Sequence, residues 1–212
     1  DQLTSGVAAI SSNSRAFAAL KSDGSVVAWG DTNYGGNFTV VNDLGWPYTE
    51  TSVASQLSSN VTAVYSNGYA FAALKTDGSV VTWGSSKSGG NSTVVTNTWP
   101  NTETSTVAAN LSSNVTAVYS TGYAFAALKK DGSVVTWGSA GYGGNSTGVA
   151  GRLSSNVTAL YSNRGAFAAL KSDGSVVTWG DYYHGGGDSS WVSGLSSNVT
   201  AVYSTGYAFA AL

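Results

Sequence analysis

One segment of this chain occurs four times and starts a fifth time. Each full copy runs from a valine to a Trp-Gly pair, and the copies are Val7–Gly30, Val61–Gly84, Val115–Gly138 and Val157–Gly180, followed by the truncated copy Val199–Leu212. The tryptophans of successive copies lie 54, 54 and 42 residues apart. Such periods are typical of repeat architectures, in which each unit buries its apolar faces against its neighbours. We therefore predict one repeat array over residues 1–212, with units at 7–60, 61–114, 115–156 and 157–198 and a partial unit at 199–212.

The composition excludes several classes of protein. Only 9% of the residues are charged, whereas about 25% is usual. The nine basic and eleven acidic residues form no run, which argues against a nucleic-acid partner because such partners require clustered Lys and Arg. No stretch of about 18 apolar residues is present, so we predict no membrane insertion. The absence of cysteine excludes disulfides and thiolate sites.

The same composition bears on where the protein is found. The chain is rich in hydroxyl side chains, poor in charge and free of oxidisable sulfur, which favours an extracellular or cell-surface location. It has no methionine, not even at position 1. We interpret this as an excised or processed piece of a longer product.

The second unit illustrates the expected strands. In its first segment Val61, Ala63 and Tyr65 share one face and residues 62 and 64 the other, the two-residue period of a strand. The segment 69–74 is apolar at every position, so this strand must be covered on both faces. The segment 79–84 returns with Val81 and Trp83 on one face. A weaker extended segment at 92–95 and the region of residue 111 complete the unit.

An Asp-Gly pair separates the second and third strands of every full unit. This pair between two apolar alternations predicts a tight hairpin, and we expect a type I′ turn with positive φ at both residues. The turn aspartates are Asp23, Asp77, Asp131 and Asp173. Meanders of this length that are buried on both faces stack as propeller blades, with alanines on one face against aromatic side chains on the next. We therefore predict an all-β, propeller-like array of antiparallel meander blades; the alternative is a β-solenoid.

The repeated pattern resembles a known family. Val-x-Ala-Val, Ala-Leu-Lys-x-Asp-Gly and Val-x-x-Trp-Gly recur in order, followed by Gly-Gly-Asn where the family has Gly-Gln. Together they resemble the regulator of chromosome condensation repeat, in the short bacterial form found in secreted β-lactamase inhibitor proteins. The chain departs from that family in two respects: Ala70 or Phe71 stands where a histidine is typical, and the first two units carry a 12-residue insert. The resemblance implies a propeller, a bacterial source and a role as an exchange factor, an inhibitor or an adhesive or scaffolding module.

Few residues in the chain are suited to catalysis. His184 is the only histidine, and we expect it to be exposed on its loop. No second imidazole or carboxylate cluster accompanies it, so we predict no metal and no cofactor. No nucleophile elbow is present, and the repeated aspartates are assigned to turns. We predict that the chain is not an enzyme and has no catalytic residue.

Binding residues are sought where the units differ from one another. These positions lie in the loops after each tryptophan and in the inserts, and exposed aromatic side chains on loops of a rigid scaffold are typical of binding surfaces. The candidates are Trp46, Tyr48, Trp99, Tyr34, Tyr142, Tyr182, Tyr183 and His184. The inserted tryptophans have an alternative role, which is to cover blade edges.

The predicted function is that of a non-enzymatic scaffold that binds a protein or assembles with itself. A proteinaceous enzyme inhibitor and a carbohydrate-binding module that uses the loop Trp and Tyr side chains are the alternatives. The chain stops before the Asp-Gly turn of its fifth unit. The edge formed by Tyr207, Phe209 and Leu212 is therefore expected to pair with another chain, as unprotected strand edges do.

Overall fold

A computed structural model describes residues 3–42, 49–98, 101–187, 189, 192 and 194–212. Trp46, Tyr48 and Trp99 lie outside the described residues. The fold is nearly all β, as predicted. The strands are β1 Val7–Ser12, β2 Ala16–Lys21, β3 Val26–Gly30, β4 Thr39–Asn42, β5 Thr49–Ser52, β6 Val61–Ser66, β7 Ala70–Lys75, β8 Val80–Ser85, β9 Thr93–Thr98, β10 Asn101–Thr106, β11 Val115–Ser120, β12 Ala124–Lys129, β13 Val134–Ser139, β14 Val157–Ser162, β15 Ala166–Lys171, β16 Val176–Gly180, β17 Val202–Ser204 and β18 Phe209–Ala211.

Short 3-10 helices connect many of these strands. They are Thr32–Tyr34, Ala54–Leu57, Ser86–Ser88, Ala108–Leu111, Ala140–Tyr142, Thr147–Arg152 and Tyr182–His184. Four of them follow the tryptophan strand of a unit and end on a glycine with positive φ. These four helices form the variable loops in which sequence analysis places its candidate binding residues.

Each full unit forms a blade. Blade 1 is the sheet β1-β2-β3, blade 2 contains β6 to β8, blade 3 contains β11 to β13, blade 4 is β14-β15-β16, and the hairpin β17-β18 is a partial fifth blade. Sequence analysis places the weak fourth strand within its own unit, and the structure corrects this. β4 pairs in parallel with β8, and β9 with β13, so each fourth strand joins the sheet of the following blade. The 12-residue inserts extend these strands into the hairpins β4-β5 and β9-β10.

The core lies between successive blades. Ala70, Ala72 and Leu74 of β7 pack against the large face of blade 3, where Phe125 and Trp137 are fully buried. The same contact of small residues with aromatic ones recurs between blades 1 and 2 and between blades 3 and 4. This confirms the predicted packing. Each repeat therefore supplies a small face to the next unit and a large face to the previous one.

A β-bulge corrects the predicted faces of the first strand. The register of β6 against β7 shifts between Val61 and Ala63, which leaves Thr62 as an extra residue. Because the bulge interrupts the two-residue alternation, Val61 packs with blade 1 whereas Ala63 and Tyr65 pack with blade 3. The predicted single face for these three residues is wrong. The same shift occurs in β1, β11 and β14.

The Asp-Gly hairpins form as predicted, but with a different turn. The Gly78 N–H donates to the Lys75 carbonyl at 3.0 Å, and Gly78 has φ +76° whereas Asp77 is not among the residues with positive φ. The loop therefore has three residues, a type I turn closed by a left-handed glycine. Asp77 stabilises this turn, because its Oδ1 accepts hydrogen bonds from the Ser79 N–H and from the Ser79 hydroxyl. These bonds lower the pKa of Asp77, and the other three turn aspartates behave alike.

A candidate binding surface, the tyrosine row

Four tyrosines from the first three units form a continuous stack, which we call the tyrosine row. Tyr34 stacks on Tyr69 with ring centroids 5.2 Å apart, and Tyr69 stacks on Tyr123 at 5.1 Å. Tyr142 continues the row at 4.5 Å from Tyr123, with its ring tilted by 43°. At the other end the Arg15 guanidinium lies 5.2 Å from the centroid of the Tyr34 ring. All four rings are half-buried.

Two loops of each blade position the row. One is the turn before the second strand, where the Asn67 Oδ1 accepts from the N–H groups of Tyr69 and Ala70. The other is the 3-10 helix after the tryptophan strand, and the Asn67 side chain donates to the Ser88 carbonyl there at 2.7 Å. Asn13, Thr121 and Asn163 make the equivalent bond in the other blades. The two loops are thus held together, and successive blades bring their side chains into contact.

A cleft of about 490 Å³ opens beside the row. Tyr34, Tyr69 and Tyr123 line it together with Lys87, and the described part of its wall contains no carboxylate. The Tyr69 and Tyr123 hydroxyl oxygens lie 3.4 Å apart. The hydrogen bond between these hydroxyls is the main cause that raises the pKa of Tyr123, and burial is the second cause. The positive charge of Arg164 acts in the opposite direction and lowers this pKa.

Sequence analysis found half of this row. Tyr34 and Tyr142 are predicted binding residues and lie in it. Tyr69 and Tyr123 were missed because they were assigned to the apolar face of the second strand. Both precede the first residue of that strand, and the available signal was that arginine or glycine replaces them in other units, at Arg15 and Gly165. A core position would not tolerate such replacements.

His184 is not the exposed residue that was expected. Its side chain is 15% exposed and stacks on Tyr207 at 5.1 Å between centroids. Nδ1 lies 3.4 Å from Asp181 Oδ1 and has no hydrogen-bond partner. The ring enters the space left by Gly165, where a Cβ would lie 2.7 Å from it. Sequence analysis could not detect this, because the two residues belong to different loops.

The remaining predicted residues are divided between open and covered positions. Tyr182 and Tyr183 are 78% and 85% exposed and contact each other edge to face. Tyr207 and Leu212 are 61% and 74% exposed, but Phe209 packs against the core cluster of blade 4. Among the described residues β18 pairs only with β17. One side of β18 is therefore unpaired at the predicted edge, and of the three predicted side chains only that of Phe209 is partly covered.

Comparisons with known proteins bear on the fold. No protein-family model matches the chain, and no curated protein does. Among solved structures it is similar to human WBSCR16, with 18% identity and a TM-score of 0.51 over 85% of this chain and 49% of that one. It is also similar to the crystal structure of Kap60 bound to yeast RCC1 (Prp20), with 13% identity and a TM-score of 0.53 over 93% of this chain and 52% of that one. The chain has the RCC1-type repeat propeller fold. It spans about half the length of these two structures.

The RCC1-type blades bring few reactive groups together. Over the described ranges, no three His, Cys, Asp or Glu side chains are placed to hold a metal ion. Within the same ranges, no helix has the length and apolar character required to cross a bilayer. What these blades do bring together is the tyrosine row, which offers aromatic edges, hydroxyl groups and a cation beside a cleft.

Proposed function

We propose that this chain is a non-enzymatic protein-binding scaffold and that the tyrosine row is its ligand surface. The observation that carries the proposal is the stack itself, since tyrosines from three units converge beside one cleft although the core does not require them there. Tyrosine is enriched where binding energy concentrates at protein interfaces. Loops on a rigid scaffold are where such residues are usually placed. The similar yeast RCC1 is bound to Kap60 in its structure, which supports the proposal at the level of fold alone.

The construction of the row favours tight binding. The Asn67 side chain and its equivalents fix the loop backbone, and stacking limits the rotation of each ring. A partner therefore meets side chains that are already ordered, which reduces the entropic cost of association. A proteinaceous enzyme inhibitor would be one case of this function.

A random peptide display library tests this proposal. Peptides selected on the immobilised protein are expected to bind the Tyr69→Ser and Tyr123→Ser variants at least about fivefold more weakly, because truncating a tyrosine that acts as an interface hot spot removes about 1 kcal/mol or more. Tyr203→Ser is the matched control, since Tyr203 is 61% exposed and lies outside the row. Selected peptides that bind all three variants as they bind the wild type would contradict the proposal.

Self-assembly is a second candidate function, favoured by the large face of blade 1, on which no other blade packs among the described residues. Trp83, Trp137 and Trp179 each donate an indole hydrogen bond to a glycine carbonyl of the preceding unit. Trp29 stacks on Phe17 at 5.3 Å in the same way, but no described residue accepts its indole N–H. Phe17 and Ile10 of this face are 43% and 61% exposed. A second copy of the chain, contributing its small face, is the partner that this surface fits.

Sedimentation analysis over a range of concentrations tests self-assembly. The wild type is expected to associate as concentration rises, whereas Ile10→Asp and Phe17→Asp should sediment as single chains because a charge is placed in the apolar contact. Tyr183→Asp adds the same charge at a residue that is 85% exposed elsewhere and should behave as the wild type. A wild type that remains a single chain at every concentration would rule out this function.

A further inference from the structure

Blade 1 exposes a large face that the other blades bury, and we call this face the head. Val7 is 39% exposed, whereas the equivalent valines of blades 2 to 5 are at most 8% exposed. Phe17 is 43% exposed, and the equivalent phenylalanines of blades 2 to 4 are fully buried. Ile10 is 61% exposed, although its equivalents in blades 3 to 5 are at most 4% exposed. In blades 2 to 5 the small face of the preceding blade covers these positions.

The hairpin of blade 5 exposes the complementary small face, which we call the tail. Ala208, Ala210 and Leu212 lie at the small-face positions of the second strand of a blade. Both alanines are exposed, whereas the alanines at these positions in blades 1 to 4 are fully buried. Leu212 is 74% exposed, and its equivalent in blade 4, Leu170, is 9% exposed. One chain therefore carries both halves of the contact that joins its own blades.

A ladder of backbone hydrogen bonds crosses every junction between the blades. The residue two positions before the second strand donates its N–H to the carbonyl of the equivalent residue in the next blade. The bonds run from Ser14 to Gly68, from Gly68 to Gly122, from Gly122 to Arg164 and from Arg164 to Gly206, at 2.8–3.4 Å. The ladder ends with the Gly206 N–H beside the tail and the Ser14 carbonyl beside the head. Within the described part of the chain neither group has a partner, so a donor at one end matches an acceptor at the other.

The tyrosine row also has a position to fill at the tail. Tyr207 is equivalent to Tyr69 and stacks on His184, and Tyr69 in addition stacks on the tyrosine of the next blade at 5.1 Å. Arg15 holds the position of that second tyrosine in blade 1. A planar guanidinium stacks well on an aromatic ring, and such a contact leaves the ion pair of Arg15 with Asp31 in place.

We propose that copies of this chain join head to tail, with the tail of one copy packed on the head of the next. The contact repeats the junctions within the chain, and the Gly206 N–H donates to the Ser14 carbonyl of the next copy. Arg15 of that copy extends the tyrosine row beyond Tyr207. Because head and tail differ, the contact is heterologous and assembly continues into a ring or a filament. This inference rests on self-assembly, the second function proposed above, and specifies both surfaces and the polarity of the contact.

Sedimentation of two complementary variants tests the inference. Phe17→Asp disables the head and Ala210→Asp disables the tail, because each places a charge in the apolar contact. Each variant alone is expected to sediment as a single chain. An equimolar mixture should form a dimer with one copy of each variant and nothing larger, because only the tail of the first and the head of the second remain intact.

Further variants control for folding and test the row. Ile10→Asp and Leu212→Asp form a second complementary pair at residues that are 61% and 74% exposed, and circular dichroism checks that every variant is folded. Tyr183→Asp adds the same charge outside head and tail and should associate alone, as the wild type does. Adding Arg15→Ser to the Ala210→Asp chain should weaken the mixed dimer about two- to fivefold, because stacking on Tyr207 is lost.

Three outcomes would overturn the inference. Folded Ala210→Asp and Leu212→Asp chains that associate as the wild type does would show that the tail is not the partner surface. If the wild type associates but neither complementary pair forms a mixed dimer, self-assembly stands and the head-to-tail contact is wrong. If the wild type remains a single chain at every concentration, self-assembly and this inference both fail.

Discussion

Replacing Trp137 with alanine is expected to lower the free energy of unfolding by about 3 to 5 kcal/mol. The Trp137 side chain is fully buried and stacks on Phe125 with centroids 5.3 Å apart. Its indole N–H donates to the Gly89 carbonyl of the preceding unit at 3.1 Å. The substitution therefore removes a large apolar volume and leaves a buried carbonyl without its donor. Urea unfolding followed by circular dichroism measures the change.

Trp29→Ala is the matched control for this prediction. Trp29 occupies the same position in its unit and makes the same stack with a phenylalanine, but the face it belongs to lacks a preceding blade among the described residues. A loss of only about 1 to 2 kcal/mol is expected for a side chain that is half-buried instead of fully buried. Equal losses for the two variants would show that the contact between blades contributes little. The proposed stacking of small faces on large faces would then not be the main source of stability.

Sequence patterns were sufficient to predict the blades because the core-forming residues are local and repeated. The segment 69–74 is apolar on both sides, so it had to be buried between two layers, and Ala70 and Phe71 are indeed fully buried on opposite faces. The Asp77-Gly78 pair predicted the reversal at the correct residues. Such features depend on the alternation of side chains within a single strand, which the sequence displays directly.

The predictions that were wrong concern local backbone geometry or the pairing of a strand with a strand of another unit. The bulge at Thr62 reverses the alternation of β6, yet Thr62 itself fits either face of a strand. The Asp77 side chain selects its turn through bonds to Ser79, and the Asp-Gly pair alone does not distinguish this turn from type I′. The pairing of β9 with β13 joins segments of different units. A period in the sequence does not reveal which blade receives a strand.

The candidate site was predictable only in part for the same reason. Tyr34 and Tyr142 stood out because they vary between units, whereas the contacts that make the row are formed between blades. The stacking of Tyr69 on Tyr123 joins residues 54 positions apart, and both had been explained as core. In the structure, two loops of each blade meet at the same end of that blade. The extracellular or cell-surface location stays a prediction from composition.

A glycine pair follows each tryptophan strand, and replacing the first glycine of such a pair is expected to lower the stability of the fold strongly. Gly89 has φ +92°, a conformation that costs residues other than glycine about 1 to 2 kcal/mol. A Cβ at this position would lie 2.7 Å from Trp137 Cδ1 and 3.1 Å from the Phe125 ring. Neither ring can move far, because both are buried in the contact between blades 2 and 3. The close approach is required for the Gly89 carbonyl to reach the indole N–H of Trp137.

Gly89→Ala is therefore expected to destabilise the protein by about 2 to 4 kcal/mol, the sum of backbone strain and overpacking. Gly141→Ala is the matched control, since Gly141 lies in the equivalent loop of the next unit with no atom within 4 Å of its Cβ position and without a positive φ. There the substitution should be neutral or slightly stabilising, because alanine restricts the unfolded chain. The midpoints of urea unfolding of the two variants, compared with that of the wild type, measure both effects. If Gly89→Ala unfolds at the wild-type midpoint, the blades can separate at this loop without loss of stability, and the rigid support assumed for the tyrosine row between Tyr69 and Tyr123 is absent.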